Sequence, residues 1–161
     1  ALGFCPPPGE AVGESGKVHG IDLSEGMRRA AEARLAKAGL YQRADLRLGD
    51  AASLPYPDSS FDAIFLCFTL ELFDTPEIPL VLGESRRVLR DGGRVCVVSL
   101  LKEDTRIVRL YEWFHQRMPE TVDCRPIQVE AELACNGWQI ETAIQRQMWG
   151  LPVTLALGRK A

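Results

Sequence analysis

The sequence predicts an α/β fold: a doubly wound, mostly parallel sheet that closes with an antiparallel C-terminal hairpin. Three observations predict it. Apolar runs of strand length alternate with segments of helical period from residue 17 to residue 100. Two of those runs, "FDAIFLCFTL" (61–70) and "RVCVVSL" (94–100), are apolar at both alternating positions, as strands buried on both faces are. The tail then offers "WQIETAIQRQM" and "PVTLALGRK" in succession, the makings of a hairpin.

Taken in order, "KVHGID" (17–22) reads as a short strand. Residues 24–40 read as a helix, with Ser24 placed to cap its first N–H groups and Gly39 placed to end it. "ADLRLGD" (44–50) alternates Leu46 and Leu48 with polar neighbours, predicting a strand with one buried face. "AASLPYPDSS" is turn-rich and predicts a loop. Residues 76–90 put Ile78, Val81, Leu82, Val88 and Leu89 on one helical face, and "DGG" (91–93) stops that helix. Helical period returns over 104–118 and again over roughly 127–135.

The 161 residues fit one domain, with a quarter of them charged and a net charge of −3. Lysines and arginines are scattered at helical spacing, which makes solvated helix faces and argues against electrostatic binding of nucleic acid. No apolar run reaches membrane-spanning length and no signal segment is visible, so a cytoplasmic protein without membrane association is expected. The five cysteines are odd in number, widely spaced and without a CxxC pair, so neither a zinc site nor a disulfide framework is signalled. Cys67 and Cys96 sit in apolar runs, where a small buried thiol is expected.

Three segments, "VHGIDLSEGM", "LRLGDAASLPYPDSSFDAIF" and "RRVLRDGGRVCVVSL", resemble in that order and spacing the class I S-adenosylmethionine-dependent methyltransferases. The branch they most resemble contains the quinone-biosynthesis C-methyltransferases. The resemblance covers residues 16–161 and implies a Rossmann-like domain over that span, with 1–15 as an atypical N-terminal segment. It also implies S-adenosylmethionine as cofactor, S-adenosylhomocysteine as product and a small apolar or aromatic acceptor; the oligomeric state stays open.

The resemblance also implies site residues. Asp22 ends its strand at the carboxyl edge, where doubly wound folds bind ligands, and would accept hydrogen bonds from the ribose hydroxyls. The competing role is an Asp satisfying backbone amides at a helix N-terminus. Leu23 and Met27 would give apolar surface near the adenosine. Asp50 would face the adenine amino group, with the N–H of Ala51 reaching a ring nitrogen; the plain alternative is a turn Asp. Cys67 and Phe68 fall where the backbone approaches the methionine part, and either contact or core is open to them. Asp62, at the start of its strand, reads as a structural turn or cap. His115 is the candidate general base, in "YEWFHQR" whose Tyr111, Trp113 and Phe114 would line an acceptor pocket; a core-facing aromatic stripe is the plainer reading. His19 reads as structural, and metal ligands are not signalled.

One part of the pattern is lacking. Family members carry G-x-G-x-G between a first strand and a first helix, whereas residues 1–15 hold Gly3, Gly9, Gly13 and three successive prolines, with no G-x-G. A first strand missing from the middle of the sheet would leave two strand edges without partners, at roughly 1–3 kcal/mol per unsatisfied buried group. The reading expected from this is an altered or incomplete version of a longer chain. The alternatives are a poor substitute strand from residues 1–5 or a strand donated by another chain. The functional rivals are a non-catalytic binding or scaffolding member of the family and, last, a nicotinamide-dependent reductase, for which G-x-G-x-x-G and Tyr-x-x-x-Lys are both lacking.

Overall fold

A computed structural model describes residues 12–103, 108–109, 113, 117 and 125–160. The chain divides into two compact units, Ala1–Ala51 and Ala52–Ala161. Among the described residues the ladder hydrogen bonds form two sheets, a parallel pair in the first unit and a four-stranded mixed sheet in the second.

In the first unit, β1 (Val18–Asp22) pairs in parallel with β2 (Ala44–Leu48), and α1 (Glu25–Lys37) connects them. Ser24 caps α1 as the sequence predicts, its Oγ accepting the Met27 N–H at 3.3 Å, and Gly39 follows the helix with φ 71°. Glu25 holds Arg28 and Arg29 at 2.7 and 2.8 Å, and Arg28 also pairs with Glu32, so the exposed face of α1 is laced at i,i+3 and i,i+4. Hydrogen bonds from Arg28 and then Arg29 hold the Glu25 carboxyl down to about 2, from an ordinary 4.5. None of the described residues of this unit is fully buried. Leu48 is accordingly half exposed, against the expectation of a buried Leu46–Leu48 face: a two-stranded pair with one polar helix makes no dry interior of its own.

The second unit holds the core. Its strands are β3 (Phe61–Cys67), β4 (Leu89–Leu100), β5 (Trp138–Met148) and β6 (Leu151–Lys160), in the order β3-β4-β6-β5. β3 and β4 run parallel; β6 is antiparallel to both its neighbours, so the closing hairpin is as expected. α2 (Ile78–Val88) and α3 (Val129–Cys135) touch one another, and Arg86 ties them together by donating to the Gly137 carbonyl at 2.8 Å. Ile78, Val81, Leu82 and Val88 of α2 are buried with Val129 and Leu133 of α3, Val95 and Val97 of β4 and Ala156 of β6. The loop before β3 is pinned to α2: Arg87 donates to the Leu54 and Tyr56 carbonyls and to Asp58, and Glu84 accepts the Leu54 N–H at 2.8 Å.

Three expectations are corrected here. The apolar run 61–70 is not one strand buried on both faces, because β3 stops at Cys67 and a 3-10 turn, Leu70–Leu72, follows. Phe65 and Cys67 are exposed, and Cys96 beside them on β4 is half-buried, so these two thiols are not core cysteines. The reason is coverage: among the described residues β3 has a ladder partner on one side only, and the helices described lie over the opposite face, that of Val95 and Val97. The strand expected at 94–100 starts earlier, at Leu89, which pairs with Phe61 across an irregular stretch containing the "DGG" turn. The helix expected over 104–118 falls mostly outside the described residues.

Leu82→Ala should destabilise the protein by about 2–5 kcal/mol, read by urea denaturation, since it removes a fully buried side chain at the α2–sheet contact. The Glu25 carboxyl, depressed in the folded chain, adds stability above pH 4.5 that is lost as pH falls towards about 2. Glu25→Gln should therefore flatten the stability–pH profile in that window; an unchanged slope would show that the Glu25 pairs add nothing.

Candidate functional site

The carboxyl edge of the first unit gathers five of the predicted residues. Asp22 ends β1 opposite Leu48, and the Gly49 N–H donates to the Asp22 carbonyl at 3.1 Å, so the ladder carries one residue past β2. Parallel strands deliver their C-termini to the same edge, which is why Asp22 and Asp50 emerge from neighbouring strand ends although 28 positions separate them. Ile21 packs close to Gly49: a Cβ there would lie 2.6 Å from Ile21 Cδ1, so a larger residue would need that side chain to move.

Asp22 takes the backbone role weighed for it. Its Oδ1 accepts the Ser24 N–H at 2.7 Å, and Oδ2 makes no further hydrogen bond among the described residues. Asp50 is exposed and Ala51 half-buried just beyond β2. Leu23 and Met27 stand out from this edge with 72% and 57% of their surface exposed, large values for apolar side chains beside a carboxylate. A cavity of about 150 Å³ is lined by Ile21, Asp22, Met27, Ala31 and Leu46. A larger one, of about 230 Å³, lies at the other end of the same strands, among Lys17, His19, Arg43 and Asp45. His19 sits there with Nδ1 3.4 Å from Asp45, at the wrong end of β1 for the ligand edge.

An open carboxylate oxygen flanked by uncovered apolar side chains suits a ligand with hydroxyl or amino donors on a flat apolar body. That is the description of a nucleoside, so the residues present fit the adenosine part of the expected cofactor.

In the second unit, Cys67 ends β3 and is exposed; Phe68 follows with φ 51° and donates its N–H to the Val98 carbonyl at 2.8 Å. A left-handed backbone at a bulky residue is strained, and such strain collects where a chain is shaped for a ligand. Asp62, at the other end of β3, pairs with Arg90, in keeping with a structural role. Trp113 is half exposed with the Arg117 guanidinium 5.1 Å from its ring centre, while Tyr111, Phe114 and His115 lie outside the described residues.

Sequence reasoning passed over Glu71. It is 1% exposed in the turn after β3, and its Oε1 accepts the Leu100 N–H at 3.4 Å, joining that turn to the carboxyl end of β4. The signal was there: a lone acid inside the apolar stretch "FTLELF". Trp149 was also passed over, having been read only as part of a strand-rich tail. Among the described residues no helix is long and apolar enough to cross a membrane, and no cluster of His, Cys, Asp or Glu has the makings of a metal site.

Comparison with known proteins bears on the family and the fold. Residues 9–93, more than half of the chain, match the family described as Methyltransferase domain. The demethylmenaquinone methyltransferase of Symbiobacterium thermophilum is 32% identical over 127 residues, 71% of this chain and 50% of that protein. The 2-phytyl-1,4-naphtoquinone methyltransferase of Synechococcus elongatus is 32% identical over 103 residues, 64% of this chain and 43% of that protein. The chain thus spans about half the length of the curated relatives it matches. Among solved structures, a SAM-dependent methyltransferase from Methanosarcina mazei superposes with a TM-score of 0.73 at 20% identity, covering 89% of this chain and 82% of that one, a likeness of fold. The α/β architecture, the ordered segments and the domain match converge: the chain belongs to the methyltransferase-domain family, the class I S-adenosylmethionine-dependent methyltransferases.

Proposed function

We propose that the protein binds S-adenosylmethionine through Asp22 and Asp50 and transfers its methyl group to a small apolar or aromatic acceptor of the quinone type. The observation that carries this is the register of β1 and β2, by which Asp22 and Asp50 leave the same edge of the strand pair, an edge that also holds exposed Leu23 and Met27. The relatives named for naphthoquinone and menaquinone substrates support the acceptor class.

When bound, S-adenosylmethionine supplies a methyl group on a sulfonium, ready for in-line displacement. The chain's share is binding and orientation. Asp22 keeps its own turn in shape through Oδ1 and offers Oδ2 to the ribose hydroxyls. Asp50 accepts from the adenine amino group and the Ala51 N–H donates to a ring nitrogen, while Leu23 and Met27 shield the base from water. The family resemblance assigns Cys67 and Phe68 to the methionine part. Positioning and exclusion of water account for much of the acceleration in such a displacement. His115 is the candidate base where the acceptor must lose a proton.

Calorimetric titration with S-adenosylhomocysteine should give a micromolar Kd, about −8 kcal/mol. Asp22→Asn and Asp50→Asn should each weaken it by about tenfold or more, as loss of a charge-assisted hydrogen bond does. Unchanged affinity in both variants would remove the basis for placing adenosine at this edge.

A further inference from the structure

Phe68 leaves β3 with a left-handed backbone, φ 51°, which a bulky residue keeps only where its surroundings dictate it. The residues that follow show what dictates it. The Phe68 N–H is held by the Val98 carbonyl at 2.8 Å, and Glu71 Oε1 accepts the Leu100 N–H at 3.4 Å. The turn after β3 is thus stepped along the carboxyl end of β4. Arg125 holds its other side. The Arg125 N–H donates to the Glu71 carbonyl at 3.3 Å, Nη2 to the Phe73 carbonyl at 2.6 Å and Nη1 to Thr75 Oγ1 at 2.8 Å. Just after Arg125 the chain runs beside the end of β4, where Ile127 bridges to Leu101 in parallel. The turn is therefore clamped between β4 and a segment 52 positions beyond Phe73.

Packing does not account for the acid in this clamp. Glu71 is 1% exposed, and a carboxyl is far costlier to bury than a leucine of similar size. Leu70 beside it is fully buried and already gives the turn an apolar anchor. Of the four polar residues buried among those described, Ser85 lies on α2, whereas Glu71, Ser99 and Thr154 gather at the carboxyl end of β4, with Ser99 opposite Thr154. Apolar burial is non-directional and lets segments slide, whereas a hydrogen bond fixes distance and angle. Directional contacts are concentrated where Phe68 and Cys67 emerge.

We infer that Glu71 is a positioning residue for the cofactor. Through the Leu100 N–H, with Arg125 closing the other side, it holds the Cys67–Phe68 backbone in the shape that receives the methionine part of S-adenosylmethionine. Its buried carboxyl acts through that backbone and does not touch the ligand. This rests on the methyl-transfer reading above and adds the pair of residues that makes the subsite rigid before binding, so that no ordering cost falls on the ligand.

Glu71→Leu, Glu71→Gln and Arg125→Gln separate this role from a purely structural one. Each full chain would be titrated with S-adenosylhomocysteine and with adenosine, which lacks the methionine part. Glu71→Leu and Arg125→Gln should each lose about tenfold in affinity for S-adenosylhomocysteine and keep the wild-type affinity for adenosine, because an unpinned turn must be ordered on binding. Glu71→Gln keeps an acceptor oxygen for the Leu100 N–H and should restore most of the loss. Equal losses on both ligands, no loss on S-adenosylhomocysteine, or a Gln variant at position 71 as impaired as the Leu variant would overturn the inference. So would a wild type that binds S-adenosylhomocysteine no tighter than adenosine. Should Glu71→Leu fail to fold, the selective loss in Arg125→Gln decides the matter alone. A wild type that binds neither ligand would sink the methyl-transfer reading, and amide exchange then decides the clamp. Faster exchange at Phe68 in Arg125→Gln with Val97 unchanged sustains it; unchanged exchange at Phe68 overturns it.

Discussion

Strand β4 is the element on which the second unit depends. Over Arg94–Val98 its backbone is paired on both sides, in parallel with β3 and antiparallel with β6, so in that stretch both rows of N–H and C=O groups have partners. One of its faces presents Val95 and Val97 to the two helices, and this is where the apolar burial is concentrated. Its carboxyl end then sets the level of the segments attached to it. Phe68 hangs from Val98, Glu71 reaches Leu100, and the tip of the β5–β6 hairpin is carried past Leu101. The 3-10 turn after β3 is held by that buried acid, and the loop before β3 by Arg87 and Glu84, so both ends of β3 are fixed by polar contacts and not by its own packing.

The first unit works by other physics. With none of its described residues fully buried, it draws on the β1–β2 ladder, the Ser24 cap and the paired charges along α1. Such a unit places side chains by backbone register, and the proposed adenosine site rests on that register, since it brings Asp22 and Asp50 to one edge of the strand pair. Exposed Leu23 and Met27 would be liabilities on an ordinary surface and are assets at a ligand edge.

Local signals in the sequence were the most legible part. Ser24 announced a cap and Gly39 an end, and Ile78, Val81, Leu82 and Val88 announced the buried face of α2, because capping and helical period are written within a few residues. Asp22 and Asp50 were legible through their place after strand-like runs. Burial was less so. An apolar run such as "FDAIFLCF" states that its residues can be buried, and the covering of each face is decided by elements far away in sequence; hence Phe65, Cys67 and Leu48 came out exposed. Glu71 and Trp149 were harder to read for a related reason. The first matters through a contact 29 positions away, and the second stands in a turn conformation that its residue type argues against.

The claim most exposed to test is that the β1–β2 edge is the adenosine site. Amide chemical shifts of the isotopically labelled chain, followed while S-adenosylhomocysteine is added, address it residue by residue. The account predicts saturable shifts at Asp22, Leu23, Asp50 and Ala51, with Lys17, His19 and Asp45 at the other end of the strands unmoved. Binding that shifts the second group and leaves the first in place would contradict it.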